Sequence, residues 1–318
     1  MAIKLGIISD PISGFNIKKD TGFAMMMAAQ KRGYELYYME MGDLFLYQGS
    51  AKASAAKAKV FDDVNHWYEL EQKREIDLSD LDVILMRKDP PFDTEYIYAT
   101  YILERAEQAG SLVVNKPQSL RDANEKLFTA WFSEHTPDTL VTRSQAQIRE
   151  FLTKHQDIIL KPLDGMGGAS IFRVKHDDPN IGVICETLTE HGQRFAMAQQ
   201  YIPEIKQGDK RVLVVDGEVV PYCLARIPQG GETRGNLAAG GRGEARPISD
   251  DDLRIAQAVA PTLKEKGLLF VGLDIIGNKL TEINVTAPTC VKEIEAAYDI
   301  SIMDMFYDAI EAKLAHTK

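Results

Sequence analysis

Three stretches in the second half of the chain carry residue types that can do chemistry. Lys161-Pro162-Leu163-Asp164-Gly165-Met166-Gly167-Gly168-Ala169-Ser170 sets a lysine at a strand end, directly before a glycine-rich turn. Glycines let backbone N–H groups approach phosphate oxygens, and a lysine supplies a point charge, so the stretch can cradle a phosphate. The same letters also fit an ordinary β-turn beside a surface lysine. Further on, Asp274 interrupts an apolar strand, and Glu282 and Asn284 lie two residues apart, hence on one strand face. Three oxygen donors converging on one point suit Mg²⁺. That convergence depends on the turn between them. A two-residue turn at Gly277-Asn278 pairs Ile276 with Lys279, and so Asp274 with Thr281, which leaves Asp274 and Glu282 on opposite faces. A three-residue loop Ile276-Gly277-Asn278, with Asn278 left-handed, brings them to one face. The three-residue loop is the expectation; the alternative, that both acids are solvated positions on an edge hairpin, is opposed by their place among Val271, Leu273, Ile275 and Ile283.

The third stretch runs from Gln229 to Gly243 and is too long and too rich in glycine for a turn. Structureless loops of this length are usually lids or linkers, and two arginines among the glycines favour a lid that carries Arg234 or Arg242 onto an anion. Arg211 and Arg226 precede it on a hairpin, spaced to line the same floor.

What is missing narrows the chemistry. The chain has no G-x-x-x-x-G-K-[ST], no G-x-G-x-x-G after its first strand, no G-x-S-x-G and no kinase-type H-R-D with D-F-G. Six histidines are scattered without metal-ligand spacing. With 37 basic against 47 acidic residues and a net charge of -10, a nucleic-acid ligand is not expected. An anionic ligand would need basic residues gathered locally against the overall field. No apolar run is long enough for a membrane helix, and the short run after Met1 breaks at Asp10, too early for a secretory signal. Cys185, Cys223 and Cys290 form no C-x-x-C pair, which fits a reducing compartment, so the cytoplasm is the expected location.

The elements that position these residues fall into two textures across 318 residues. In the first, Ile3–Ser9, Tyr34–Met39, Asp82–Met86 and Ser111–Asn115 read as strands. Thr21–Arg32, stopped by Gly33, and a helix from Asp93 to Ala109, stopped by Gly110, alternate with them. Alternation of this kind implies a doubly wound parallel sheet. Gln48–Arg74, rich in Ala and Lys, fits either an edge hairpin or a mobile insertion. After Pro117 an α+β texture follows: a short helix Asn124–Phe132, a helix Ser144–His155, and strands Thr139–Thr142, Asp157–Pro162, Ala169–Val174 and Phe195–Tyr201. Lys210–Val215 and Glu218–Ile227 make a hairpin about Asp216-Gly217. Pro228–Pro247 has almost no large apolar residue and is not expected to pack. Asp250–Lys266 is a helix, Leu268–Ile276 and Lys279–Val285 a last hairpin, and one or two helices close the chain.

Arg87-Lys88-Asp89-Pro90-Pro91-Phe92-Asp93, Asn115-Lys116-Pro117, Lys161 through Gly168, Ile227 through Gly243 and Glu282-Ile283-Asn284-Val285-Thr286, in this order, resemble the ATP-grasp superfamily. Within it they resemble the bacterial glutathione synthetase family, over essentially the whole chain. The resemblance implies an α/β and α+β fold in three parts. A Rossmann-like substrate domain would span 1–122, a central ATP-grasp subdomain 123–202, and a C-terminal ATP-grasp subdomain 203–318 with a lid at 228–243. It implies an ATP-dependent ligase that joins γ-glutamylcysteine to glycine through an acyl phosphate, with Mg²⁺ or Mn²⁺, in a homo-oligomer (tetramer or dimer). Carried over residue by residue, Lys126, Lys161, Gly165, Gly167 and Gly168 would meet the ATP phosphates. Gln199, Tyr201 and Ile202 would meet adenine, and Asp209 the ribose. Arg211, Arg226 and Arg234 would stabilise the reacting groups, and Gly230, Gly231, Gly240 and Gly241 would hinge the lid. Asp274, Glu282 and Asn284 would hold the metal, and Arg87, Asn284, Thr286 and Thr289 the dipeptide. Ala287 departs from the hydroxyl residue expected of the family at that position. Other ligases of the superfamily share the ATP and metal residues, whereas Arg87 through Pro91 favour glutathione synthesis. A non-catalytic nucleotide-binding relative would be expected to lack a metal ligand or a floor arginine, and here all are present.

Overall fold

Apolar runs bounded by capping residues build the first sheet. The computed structural model describes residues 2–232, 234–237 and 240–317. Its first part runs β1 (Lys4–Ile8), α1 (Thr21–Lys31), β2 (Glu35–Met39), β3 (Leu44–Tyr47), β4 (Ser50–Val60), β5 (Tyr68–Leu70), β6 (Arg74–Asp77), β7 (Val83–Met86), α2 (Thr94–Gln108), β8 (Leu112–Val114) and α3 (Pro117–Asp122). Leu5, Ile7, Ile8 and all of Val83–Met86 are buried, as in a sheet covered on both faces. The order is β3-β4-β2-β1-β7-β8, with β1 parallel to β2 and β7, and β7 parallel to β8. Asp20 and Asp93 cap α1 and α2 by accepting from Phe23 N and Tyr96 N. Within Gln48–Arg74 the long strand β4 is ordered, antiparallel to β2 and β3, with β5 and β6 paired to it. Small alanines at alternate positions let it lie flat against α2, a pattern that has no large apolar residue to announce it.

A second sheet is formed from β9 (Thr139–Thr142), α4 (Gln145–His155), β10 (Asp157–Pro162), β11 (Phe172–Lys175), α5 (Ile181–Thr189) and β12 (Ala196–Gln200), in the order β11-β10-β12-β9. Its helices pack on one face over Ile158, Leu160, Val174, Ala196 and Ala198, a core that includes no residue from the other sheets. The expected helix Asn124–Phe132 is a 3₁₀ segment, Leu127–His135, kinked at Phe132. Glu125 O accepts from Ile283 N and Lys126 Nζ donates to Gly165 O, so these residues are held by tertiary bonds before a helix can begin. Helices α3, with proline at its first turn, and α5 were not anticipated in the sequence.

The third sheet, β15-β14-β13-β16-β17, contains β13 (Asp209–Val215), β14 (Glu218–Ile227), β15 (Arg242–Pro247), β16 (Phe270–Ile276) and β17 (Lys279–Asn284). Helix α6 (Asp250–Glu265) lies between β15 and β16 in the chain, and α7 (Val291–Ala297) and α8 (Ile302–Thr317) close it. Asp216 and Gly217 both take positive φ in the two-residue turn between β13 and β14. Contrary to expectation, the end of the glycine-rich stretch packs. Residues 242–247 form β15, because an edge strand is held by its backbone ladder to β14 and needs no large side chain.

The first and third sheets are welded together. One buried cluster joins Ile84 and Leu103 to Val212, Val259 and Leu273, and a second joins Leu5 and Phe23 to Leu213, Phe270 and Phe306. At the seam, Asn115 donates to Phe270 O at 2.8 Å and Val285 O at 2.7 Å, and accepts from Phe270 N at 2.9 Å. No helix among the described residues is long and apolar enough to cross a membrane. Replacing Asn115 by Leu strips three buried main-chain groups of a partner, and the expected cost is about 2–4 kcal/mol of unfolding free energy. Urea denaturation of Asn115→Leu measures it, and a loss below about 0.5 kcal/mol would contradict this role of the seam.

Candidate active site

A cleft of about 410 Å³ opens between the second and third sheets, with the loop after β1 and the segment after β7 closing one end. Alternation along β10 makes its floor. Ile158 and Leu160 enter the lobe's core, so Asp157, Ile159 and Lys161 face the other way. Ile159 pairs with Arg173 on one side and Gln199 on the other. At ~3.3 Å per residue, Asp157 and Lys161 stand ~13 Å apart along this floor. Lys161 is buried, and its one hydrogen bond among the described residues is a long one, 3.3 Å to Thr281 O. Burial, opposed by Glu282, pushes its ammonium down to about 8. Lys126 is better satisfied, donating to Gly165 O at 2.6 Å and Glu282 Oε1 at 3.0 Å. Burial works against its charge, but Glu282 and Glu125 hold its pKa above the usual lysine value.

The third sheet supplies the opposite wall, and its register decides what meets there. Arg211 lies directly across from Asp274, and Arg226 across from Asp209. Arg211 grips Asp274 with two bonds, Nε to Oδ1 at 2.6 Å and Nη2 to Oδ2 at 3.1 Å. Arg226 Nη2 reaches Asp274 Oδ2 at 2.8 Å and Asp209 Oδ2 at 2.6 Å. A Cβ on Gly272 would lie 2.6 Å from Arg211 Cδ, so only glycine leaves room for that side chain. Burial alone would raise the Asp274 pKa, but the two guanidiniums hold it well below the carboxylate range. Asp209 has a single cation on one oxygen and, among the described residues, no partner for Oδ1, and burial pushes its pKa up.

The three-residue loop expected before β17 is not formed. Ile276 pairs with Lys279 across a two-residue turn in which Gly277, not Asn278, takes positive φ. Asp274 and Glu282 nevertheless face each other, because a β-bulge inserts Thr281 and shifts the register so that Asp274 pairs with Glu282 and Gly272 with Asn284. Thr281 Oγ1 donates to Asp274 O across the bulge. The spare residue thus sits in the strand rather than in the turn. Asn284 Nδ2 donates to Gly272 O, which leaves its oxygen for the cleft.

The lid folds onto both walls. Gly230, Gly231 and Gly240 take positive φ, and Gly241 is pressed so closely on Gly235 that a Cβ would lie 2.1 Å from its carbonyl oxygen. A Cβ on Gly235 would lie 2.2 Å from Arg226 O. Arg234 donates to Gly168 O at 2.9 Å and to Glu232 at 2.6 Å, so it bridges lid and glycine-rich loop. Gly167 and Gly168 have the left-handed φ this loop requires. Arg242 is instead exposed on β15 and paired with Glu244. Thr233, Ala238 and Ala239, within the lid, lie outside the described residues.

At the end of the cleft where β12 runs out, Gln199 donates to Thr139 Oγ1, Tyr201 N to Asp157 O, and Ile202 lines the cleft. At the other end stand Asn284, Thr286, Ala287 and Thr289. Arg87 is not on the cleft wall. It is buried behind it, with Nη2 bonded to Pro288 O at 2.8 Å and its guanidinium over the Phe270 ring. The structure brings in residues that sequence reasoning missed. Half-buried Glu125 accepts from Val285 N, Thr286 N and Thr286 Oγ1 and so fixes Thr286. Asn16, Lys19, Asp20, Asp89 and Glu293 line the far end. Asn16 and Lys19 lie on the loop at residues 10–19 after the first strand, where open sheets bind ligands, so their place was legible in the sequence; Asp89 belongs to the Arg87–Asp93 motif, while Asp20 and Glu293 sit in no recognisable spacing. Asp274, Glu282 and Asn284 fit a hard divalent cation, being oxygen donors on paired strands of one wall. Among the described residues no three His, Cys, Asp or Glu side chains form a group that could hold a metal by themselves.

Comparison with known proteins agrees along the whole length. The family model for the prokaryotic glutathione synthetase N-terminal domain matches residues 3–121, and that for its ATP-grasp domain matches residues 125–299. The glutathione synthetase of Escherichia coli O127:H6 is 70% identical over 312 residues, spanning 98% of this chain and 99% of its own. That of Salmonella typhimurium LT2 is 71% identical over 313 residues with the same coverage. Among solved structures, D-cycloserine synthetase DcsG superposes with a TM-score of 0.69 at 15% identity, over 98% of this chain and 99% of its own. The ATP-grasp ligase PsnB, complexed with minimal precursor, Mg and ADP, gives 0.61 at 17% identity over 98% of each. At such identities the likeness is one of fold, and the fold is ATP-grasp. With both of its family's domains present in order and relatives at about 70% identity end to end, this chain belongs to the prokaryotic glutathione synthetase family.

Proposed function

We propose that this ATP-dependent ligase makes glutathione in the cleft between its second and third sheets, with ATP laid along β10. The observation that carries the reading is the convergence on one cleft of Lys161, Lys126, Arg211 and Arg226 in a protein of net charge -10. Adenine would lie by Gln199, Tyr201 and Ile202. Because the Tyr201 amide is taken by Asp157 O, Ile202 is left to meet the base through its backbone. Asp209 Oδ1, which has no partner among the described residues, would accept from a ribose hydroxyl. Lys161, Lys126 and the loop carrying Gly165, Gly167 and Gly168 would hold the phosphates about four residues further along the floor.

The cysteinyl carboxylate of γ-glutamylcysteine attacks the γ-phosphorus, ADP leaves, and an acyl phosphate forms. The glycine amine, having lost a proton, attacks that carbonyl and phosphate departs. No group on the protein becomes covalently attached, so catalysis consists of positioning and charge neutralisation. Arg211 and Arg226, prealigned by Asp274 and Asp209, would stabilise the transferring phosphoryl group and the tetrahedral oxyanion. Asp274, Glu282 and Asn284 would hold Mg²⁺, or Mn²⁺, which when bound neutralises charge on the β- and γ-phosphates. Asn284, Thr286 and Thr289 would face the dipeptide, with Asn16, Lys19, Asp20, Asp89 and Glu293 at its γ-glutamyl end. Arg87 would act on that site only through the Pro288 turn it holds. We also propose a homo-oligomer, dimer or tetramer, and a cytoplasmic location, which suits the three buried, unpaired cysteines.

Steady-state phosphate release tests the reading. Turnover is expected to require γ-glutamylcysteine and glycine together, and to yield glutathione; turnover only with another amino-acid pair would move the substrate residues to a different ligase. For the lid, Arg234→Ala is expected to release more than one phosphate per glutathione, because water then reaches the acyl phosphate. A ratio that stays at one would contradict this role. Lys161 gives a pH signature. Its free-state pKa lies near 8, and phosphate nearby raises it, so above pH 8 ATP must bind with proton uptake. Calorimetry without divalent metal is expected to show ATP affinity level below pH 7 and falling by up to tenfold per unit above 8. Lys161→Met should abolish the slope, and a level profile to pH 9.5 in the unsubstituted protein would count against the assignment.

A further inference from the structure

The base end of the floor carries a device that the ligand assignments above leave unused. Asp157 and Arg173 lie diagonally across β10 and β11, and their pairing is bidentate, Nε to Oδ1 at 3.0 Å and Nη2 to Oδ2 at 2.6 Å. The guanidinium so held stands over the ring of Tyr201, with its carbon 3.6 Å from the ring centroid. Asp157 closes the circuit through its main chain, since Asp157 O accepts from Tyr201 N at 3.1 Å. One aspartate therefore fixes Tyr201 twice, by its backbone directly and by its side chain through Arg173. The strand register makes this possible. Arg173 and Gln199 both flank Ile159, and Tyr201 is two residues beyond Gln199, so all stand on the cleft face. The chain leaves β12 at Gln200, and without such a grip the next residues would be free to swing with the connection to the third sheet.

We propose that Arg173 is a positioning residue for nucleotide selection, acting through Tyr201 to hold the hinge backbone at Tyr201–Ile202 in the one geometry that an adenine edge can meet. The inference rests on the reading that places adenine at this hinge. Arginine suits the task where lysine does not, because a planar fork can satisfy a carboxylate edge-on while its face covers an aromatic ring. Arg173 itself touches no part of the phosphates, which lie at the Lys161 end of the floor.

The test compares ATP with ribose 5-triphosphate and inorganic triphosphate as ligands of the full chain, in the unsubstituted protein and in Arg173→Ala, Tyr201→Ala and the double variant. Arg173→Ala is expected to raise KM for ATP about threefold to tenfold with kcat and the glycine KM unaltered, and to leave inhibition by inorganic triphosphate as it was. The double variant should be no worse than Tyr201→Ala, since the two residues act in series. Arg173→Lys should fail to restore the ATP KM. An unaltered ATP KM in Arg173→Ala would overturn the proposal, as would an equal loss for ATP and triphosphate, which marks general damage to the lobe. If the unsubstituted protein binds ribose 5-triphosphate as tightly as ATP, the hinge reading itself fails and the clamp with it. If ATP is the tighter ligand there but Arg173→Ala binds it normally, only the clamp is lost.

Discussion

The structure depends on a chain of four buried charges crossing three strands. Asp209, Arg226, Asp274 and Arg211 alternate in sign, and all four are buried. Ions taken out of water cost several kcal/mol each, and only close, well-aligned partners offset that cost. Here the alignment is set by strand register, with Arg211 opposite Asp274 and Arg226 opposite Asp209, rather than by flexible reach. Gly272 leaves the space that Arg211 occupies, and the Thr281 bulge turns Glu282 to face Asp274. The guanidiniums are consequently fixed in place before any anion arrives, which is what charge stabilisation in a water-poor cleft requires.

The sheets around this cluster are attached unequally. The third sheet shares two apolar cores and the Asn115 seam with the first, whereas the second keeps a core of its own. The cleft therefore has one rigid wall, which holds the arginines and the metal-type ligands, and one wall that belongs to a separate lobe. Lys161 stands on that second wall and reaches across to the first. It is buried, its side chain makes one long hydrogen bond among the described residues, to Thr281 O, and burial lowers its pKa. Arg234 ties the lid to the glycine-rich loop at Gly168, so the third covering element closes on the same point.

Much of this was legible in the sequence, and what escaped did so for identifiable reasons. Alternating apolar strands and capped helices gave the first sheet, and the glycine-lysine, Asp-Glu-Asn and lid patterns gave the cleft, because those features are local. Strand β4 hid because its buried positions, Val60 apart, are alanines. Residues 242–247 looked unfit to pack because backbone pairing leaves no mark on side-chain type. The bulge at Thr281 was misplaced into the turn, since one extra residue satisfies the facing of Asp274 and Glu282 from either place. Arg87 ended at a strand, as expected, but on the far side of the Pro288 turn, and the acids lining the far end come from segments brought together only by the fold. Asp157, Arg173 and Tyr201 could not be linked without the register of β10 against both neighbours.

The claim that most needs testing is that the arginine-lined cleft activates the dipeptide by moving the γ-phosphoryl group of ATP to its cysteinyl carboxylate. Single-turnover reaction of γ-glutamylcysteine carrying ¹⁸O in its cysteinyl carboxylate measures this directly. The account predicts one ¹⁸O in each phosphate released as glutathione forms. Phosphate without ¹⁸O, with the label retained in the peptide or lost to water, would contradict it.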